Sequence, residues 1–310
     1  MIRIIRQDDK FETAGRGIAL GVFDGVHLGH LALMKSLGQA CRERGLRPAV
    51  FTFSYEGGYG FNHRPIVHEF LMTQAEKIRA LEAAGIQEVF LASLNDQLIH
   101  LSPLDFLENV IVERLGGALL AIGDDGSFGL HGRGDARFLK DYASTHDLDA
   151  LIVDPVLWGG EKVSSTRIRK SLLAGDMEEA EAMMTRPFRL TGQVISGRHL
   201  GSALGFPTAN IAYPTLSALV RRGVYKTQVR LGEELLPAVT SVGIAPSVHR
   251  DRRDLLVESY LYDFSGDLYG REIEVEFQTF IRDEETFDSI QALKEQMDRD
   301  IRDVRALHAL

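Results

Sequence analysis

The chain of 310 residues has a single cysteine, Cys41, so no intramolecular disulfide can form. One thiol fits a reducing compartment, and a cytoplasmic location is expected. The opening ten residues hold no apolar h-region of a secretory signal, and no run approaches the roughly 18 apolar residues of a membrane span. There is no excess of positive charge: the net charge is −9, which argues against a non-specific binder of nucleic acid or of an anionic membrane. A nucleotide substrate stays open, because local donors make such a site. No Gly-x-x-x-x-Gly-Lys-Ser/Thr segment occurs, so a standard P-loop is excluded. His27 and His30 have no further His/Cys/Asp pair to complete a zinc site, which argues against a metal there. No repeat or low-complexity tract is found. The length exceeds the usual single core, so two domains are expected.

What is present centres on Gly21 to His30. The apolar run Ile18–Leu20 leads in and a helical pattern from Leu31 to Leu37 leads out, so the stretch reads as strand, glycine-rich turn and helix start. A helix N-terminus carries unpaired N–H groups and the positive dipole end, which suits phosphate. His27 and His30 add donors, and Gly25 and Gly29 favour close backbone approach.

From there to about residue 185, strand-like runs alternate with helical ones. Strands are expected at 48–53, 88–91, 118–122 and 150–153. Helices are expected from Thr73 to Gly85 with a capping box to Glu76, from Ser102 towards Gly116, and near 136–146. This βαβα order predicts a parallel sheet with helices on both faces and ligands at the carboxyl ends of its strands. Residues Ser164 to Arg169 start another helix; hydroxyls and two arginines there make either a second anion-friendly spot or an ordinary N-cap with surface arginines. From Phe188 the texture turns to short strands at 189–195, 224–229, 255–261 and 272–277, which predicts an antiparallel barrel or sandwich closed by a helix from about Phe287 to Leu307. The boundary is expected at 185–188, giving domains 1–185 and 186–310.

These residues carry a resemblance. Gly21, Phe23, Asp24, Gly25, His27, Gly29 and His30, with Ser164 to Arg169, resemble the nucleotidyltransferase module of prokaryotic FAD synthetases. Gly205 to Asn210, Gly223 to Tyr225, Val257-Glu258, Asp267 to Gly270 and Ile281 to Glu284 with Phe287 resemble riboflavin kinases. Their order and spacing are similar to those of the bifunctional riboflavin kinase/FAD synthetase family across nearly the whole chain. The resemblance implies a Rossmann-like N-terminal domain and a C-terminal β-barrel kinase domain with a terminal helix. It also implies ATP, riboflavin and FMN as substrates, FMN and FAD as products, Mg²⁺ as cofactor, and no nucleic-acid or membrane partner.

Roles follow from the same resemblance. His27 and His30 would bind the ATP phosphates while FMN attacks the α-phosphorus. Phe23, Asp24, Gly25 and Gly29 would line the nucleotide, and Ser165, Thr166, Arg167 and Arg169 would hold the departing phosphates. Gly197, Gly201 and Gly205 would form the phosphate loop of the kinase. Thr208 and Asn210 would hold Mg²⁺ and phosphate, and Glu258 would be the general base toward the ribityl 5′-hydroxyl. Read by itself, Glu258 is a solvent-facing strand carboxylate. Asp125, Phe128 and Arg282 would contact flavin.

The chain departs from the family pattern where Asp-Pro-His-Pro becomes Ser54-Tyr55-Glu56-Gly57, and where Asp/Asn-Phe-x-Phe-Gly becomes Asp125-Gly126-Ser127-Phe128-Gly129. Asn-Ile-Gly-x-Arg-Pro-Thr becomes Ser241-Val242-Gly243-Ile244-Ala245-Pro246-Ser247. Two alternatives therefore stand beside the bifunctional enzyme: a riboflavin kinase whose first module has lost or changed its adenylyl transfer, and a non-catalytic flavin- or nucleotide-binding regulator.

Overall fold

The computed structural model describes residues 1–6, 9–12, 14–54, 69–93, 96–196, 205–246 and 253–308. They form two compact units: Met1–Ile66 with Met72–Ser165, and Val67–Leu71 with Thr166–Leu310.

The first unit is built on a six-stranded sheet of β1 (Arg3–Arg6), β2 (Arg16–Leu20), β3 (Arg47–Phe53), β4 (Glu88–Ala92), β5 (Gly117–Gly123) and β6 (Asp149–Val153). Every pairing is parallel, in the order β1-β4-β3-β2-β5-β6. Side chains of a strand alternate between faces. Ile18, Leu20, Phe51, Phe90, Leu120 and Ile122 therefore pack on one side against Phe106, Leu107, Ile111 and Leu139. Ala19, Val50, Val89, Leu119 and Ala121 pack on the other against Leu33, Leu37, Cys41 and Leu81. Helices cover both faces, as the alternating pattern predicts.

The chain runs from β2 through β3 to β4, then returns to the other side of β2 for β5. Such a reversal of strand order leaves a crevice outside the carboxyl ends of the strands that flank it. The Gly21–His30 stretch leaves β2 at that point.

The helix Leu28–Arg44 lies close to β2 because position 17 has no side chain: a Cβ on Gly17 would fall 2.4 Å from the Cys41 sulfur. Burial pushes the Cys41 thiol pKa up, which makes it an unreactive core group. The helix Gln74–Ala83 starts with the expected capping box, Thr73 and Glu76 exchanging hydrogen bonds. The segment after Ser102 differs from expectation. Pro103–Asp105 opens one α-turn, and Phe106–Arg114 continues as a π-helix whose wider ring the hydrophobic pattern does not disclose. The short strand β1 and the hairpin of β7 (Leu157–Trp158) and β8 (Glu161–Lys162) were not expected.

The second unit is a closed antiparallel barrel, ordered β10-β13-β12-β11-β14-β9. Its strands are β9 (Phe188–Ile195), β10 (Ala209–Ala212), β11 (Gly223–Leu231), β12 (Glu234–Pro246), β13 (Arg253–Leu261) and β14 (Glu272–Asp283). Four of the six match the expected strands, and closure removes the exposed edges that an open sheet would leave. Thr227, Thr240 and Ser259 are fully buried and linked hydroxyl to hydroxyl at 2.7 and 2.8 Å across β11, β12 and β13. The helices Ser165–Ala174 and Met177–Met184 belong largely to this unit. The terminal helix Ile290–Leu307, capped by Ser289, packs Ile301 and Val304 against Val224, Val239 and Tyr262.

Candidate active site

In the first unit the turn after β2 is tight. Phe23 and Val26 take positive φ of 52° and 35°, and Gly25 takes 79°. Positive φ is unfavourable for residues with a Cβ, above all β-branched ones. The turn holds this shape because its parts are fastened. Phe23 folds its buried ring back over Gly21, where a Cβ would lie 3.0 Å from the ring. The backbone carbonyl of Asp24 accepts a hydrogen bond from the Ser165 hydroxyl at 2.9 Å. Asp24 itself is buried.

His27 is the N-cap of the helix Leu28–Arg44, its Nδ1 accepting from the His30 amide at 3.4 Å. A nitrogen that accepts is unprotonated, so the proton of a neutral His27 sits on Nε2. The two imidazoles stack with centroids 3.6 Å apart, and Phe23 meets His30 edge-on at 5.1 Å. Gly29 makes room for this stack: a Cβ there would stand 3.2 Å from the His27 ring. The histidine pair thus sits at a helix N-terminus beside the switch point of the sheet, where backbone N–H groups and the helix dipole favour anions.

Lys77 was not among the sequence candidates. It is fully buried, and its Nζ donates to the carbonyls of Phe53 at 2.9 Å and Val22 at 3.3 Å and to Thr52 Oγ1 at 3.3 Å. Burial pushes its pKa down to about 7, against an upward pull from the Asp24 carboxylate. Only its polar type at an otherwise core-facing helical position marked it in the sequence.

At the carboxyl end of β5, Lys162 bridges Asp124 at 2.8 Å and Asp125 at 2.9 Å. The hydrogen bond from Lys162 holds the Asp124 carboxyl below its usual pKa. Phe128 is buried in a ring cluster with Phe106 and Phe138, and Gly134 lies so close that a Cβ would clash with the Phe128 ring at 2.4 Å. Position 126, where the family pattern has an aromatic, leaves little room for a side chain in this backbone. A Cβ there would lie 2.9 Å from Ile122 Cβ and 3.0 Å from the Gly123 carbonyl oxygen. Separately, a cavity of about 230 Å³ is lined by Phe11, Phe51, Phe90, Leu98, Leu101 and Val110, together with Arg6 and Arg114. Sequence reasoning did not find it, because its walls come from several stretches far apart in the chain.

Of the remaining phosphate candidates, Ser165 belongs to the first unit and Thr166, Arg167 and Arg169 to the second. Both arginines are fastened within their own unit. Arg167 pairs with Glu179, which also accepts from Ser171 at 2.6 Å, and Arg169 donates to the Glu69 carbonyl at 2.5 Å. Hydrogen bonds from Ser171 and Arg167 hold the Glu179 carboxyl below its ordinary pKa.

In the barrel, Asn210 of β10 stands directly opposite Glu258 of β13, and Glu258 directly opposite Ser241 of β12. Residues in register on neighbouring strands share a face. Asn210 and Glu258 are therefore together on the face opposite to Ser259. Asn210 Nδ2 donates to the Thr208 carbonyl at 3.2 Å and reaches Thr208 Oγ1 at 3.4 Å, while its buried Oδ1 has no hydrogen-bond partner among the described residues. Gly205 has a φ of 94°, which only glycine adopts without strain. Gly197 and Gly201 lie outside the described residues, as do Tyr55 to Gly57. Arg282 is gripped by Asp300 of the terminal helix through two bonds of 2.9 and 2.7 Å, and its pKa is raised by that carboxylate.

Known proteins can be set beside this geometry. A family model for FAD synthetase matches residues 10–167, and one for riboflavin kinase matches residues 184–308. A bifunctional riboflavin kinase/FMN adenylyltransferase of Listeria monocytogenes is 32% identical over 97% of this chain and 95% of its own length. That of Escherichia coli K12 is 34% identical over 97% and 95%. A crystal structure described as a macrolide-efflux protein from Streptococcus pneumoniae superposes with a TM-score of 0.85 at 28% identity, covering 98% of this chain and 99% of the other. Among the described residues of the present chain, no helix is long and apolar enough to cross a membrane. With both halves matched in order and whole-length relatives above 30% identity, the chain belongs to the bifunctional riboflavin kinase/FMN adenylyltransferase family.

Proposed function

We propose that this chain phosphorylates riboflavin to FMN with ATP, and then transfers the adenylyl group of a second ATP to FMN, giving FAD and pyrophosphate. The reading rests above all on the stacked His27–His30 pair at the helix N-terminus beside the sheet's switch point, on the same chain as a barrel that sets Glu258 opposite Asn210. Both reactions depend on positioning and on stabilising charge at phosphorus.

In adenylyl transfer, His27 and His30 bind the ATP phosphates and stabilise charge as the FMN phosphate oxygen attacks the α-phosphorus and pyrophosphate leaves. Asp24, Gly25 and Gly29 shape that turn, and Phe23 braces it from the core. Ser165, Thr166, Arg167 and Arg169 bind the departing phosphates, the two arginines exchanging Glu179 and the Glu69 carbonyl for them. Flavin is held near Asp125 and Phe128. The apolar cavity with Arg6 and Arg114 in its wall has the chemistry for an aromatic ring carrying a phosphate.

In phosphorylation, Glu258 takes the proton of the ribityl 5′-hydroxyl as its oxygen attacks the γ-phosphorus. Gly205, with Gly197 and Gly201, lets the chain approach the ATP phosphates. Arg282 serves the flavin side once the contact with Asp300 rearranges. The oxygen donors fit Mg²⁺: Asn210 offers a buried carbonyl oxygen without a hydrogen-bond partner among the described residues, beside the Thr208 hydroxyl. Bound there, the ion would neutralise phosphate charge, with the nucleotide supplying further oxygens.

We place the division between the activities at residue 185, where Thr185, with φ of 62°, ends the helix Met177–Met184. Two incubations with ATP and Mg²⁺ test the whole reading by chromatography. Riboflavin gives FMN and then FAD, and FMN alone gives FAD. FMN as the final product in both would leave only a kinase, and no product in either would leave a binding protein.

A further inference from the structure

A lysine sealed in a protein core is costly unless its nitrogen is fully engaged. Lys77 faces inward from the helix Gln74–Ala83 with no solvent exposure, at a position where Leu or Met would serve for packing alone. Among the described residues its Nζ donates to Val22 O, Thr52 Oγ1 and Phe53 O. Thr52 gives its own proton to Val22 O at 2.9 Å, so two of these acceptors are themselves joined.

These acceptors have one thing in common. Phe53 is the last residue of β3, and Val22 is the second residue beyond β2; the two strands are paired in parallel up to Leu20 and Phe51. The nitrogen therefore ties the carboxyl ends of two adjacent strands together where the turn begins. Immediately after Val22 the backbone enters positive φ at Phe23, Gly25 and Val26. Strain of this kind persists only where neighbouring contacts hold it. Lys77 and Thr52 hold the turn at Val22, Ser165 holds it at Asp24, and His27 ends it as the helix cap. The buried Asp24 carboxylate acts electrostatically on the lysine, which gives the amine a second hold on the same turn.

We infer that Lys77 is a positioning residue for adenylyl transfer, its buried side-chain nitrogen fixing the Val22–His27 turn so that His27 and His30 meet the reacting phosphate. The inference deepens the proposed reaction of the first unit and rests on it. It assigns Lys77 no contact with substrate. Because the riboflavin kinase site lies in the other unit, the second reaction serves as an internal control on the same molecule.

The test measures both reactions in the full-length chain for wild type, Lys77→Met and Thr52→Val, with ATP and FMN varied separately. FAD formation by the wild type from FMN is the precondition; without it the adenylyl-transfer reading fails, whatever the variants do. Given that activity, Lys77→Met is expected to lower kcat/KM for ATP in FAD formation at least tenfold. KM for FMN and the rate of FMN formation from riboflavin should stay within twofold. Thr52→Val removes one of the three acceptors without removing the amine, and is expected to lower the same ratio about threefold. If Lys77→Met does not fold, Thr52→Val decides: a selective loss in the ATP term supports the inference, and unchanged kinetics overturn it. A folded Lys77→Met with wild-type kinetics, or with equal losses for ATP and FMN, also overturns it.

Discussion

Asn210 and Glu258 face each other in register across β10 and β13, and the Asn210 side-chain oxygen is buried without a protein partner among the described residues. An unpaired buried carbonyl oxygen is uncommon. Beside a carboxylate on the same sheet face, it has the chemistry of a place that substrate and cation complete. Glu258→Gln keeps the shape and removes the proposed base. FMN formation is expected to fall by about 10²- to 10⁴-fold, the usual contribution of a general base. Adenylylation of added FMN should be unchanged, and initial rates of both reactions on one preparation check this.

His27 and His30 are coupled by stacking, and Gly29 exists in its present form to admit the His27 ring. Replacing either histidine by alanine is expected to cut FAD formation by about 10²- to 10³-fold, the range seen when a group stabilising transition-state charge is removed. Gly29→Ala presses a methyl against the His27 ring and should reduce the same rate while sparing FMN formation. Steady-state assays with FMN and with riboflavin separate the two effects.

Folding lowers the Lys77 pKa from 10.5 to about 7. Between those values the unfolded chain binds the extra proton and the folded one does not, so stability of the first unit rises with pH. The slope approaches about 1.4 kcal/mol per pH unit above pH 7. Trp158 is the only tryptophan and lies in this unit. Urea unfolding followed by its fluorescence between pH 7 and 9 should show the slope in wild type, and a flatter line in Lys77→Met.

At the amino end of the same sheet, Arg16 is fully buried and donates to Glu88 at 2.6 Å, while Arg47 reaches Glu88 at 3.0 Å. Burial alone would raise the Glu88 pKa, but the hydrogen bonds and charges of the two arginines outweigh it and leave the carboxyl below 4.5. A depressed folded-state pKa contributes stability above the ordinary value that is lost as pH falls through the folded one. Wild type should therefore lose stability as pH falls below about 4.5. Glu88→Gln is expected to cost about 3–5 kcal/mol at pH 7 by leaving the buried Arg16 charge without its carboxylate. Its acid limb should be shallower, as denaturant unfolding at pH 3 to 7 will show.

Much of this was legible in the sequence because the signals were local. The Thr73–Glu76 capping box, the Gly-rich exit from β2 and the alternation of strand and helix each depend on residues a few positions apart. What escaped depends on distant partners. Nothing near Lys77 discloses that Val22, Thr52 and Phe53 surround it, and Arg16 finds Glu88 72 positions away. The strand β10 hid inside a stretch read for its phosphate-loop residues, and β12 inside a kinase motif. The π-helix at Phe106–Arg114 differs from an α-helix only in hydrogen-bond register, which the hydrophobic pattern leaves undetermined. Gly126 was legible as a departure, but its close approach to Ile122 was not.

The central claim is that one chain carries two separable phosphorus chemistries, and the altered Asp125–Gly129 loop makes the second the more exposed to test. The most direct measurement is FAD formation by the Glu258→Gln variant supplied with FMN, ATP and Mg²⁺, with riboflavin in a parallel incubation. The account predicts FAD at the wild-type rate from FMN and only trace FMN from riboflavin. Absence of FAD from added FMN in both variant and wild type, or undiminished FMN formation from riboflavin in the variant, would contradict it.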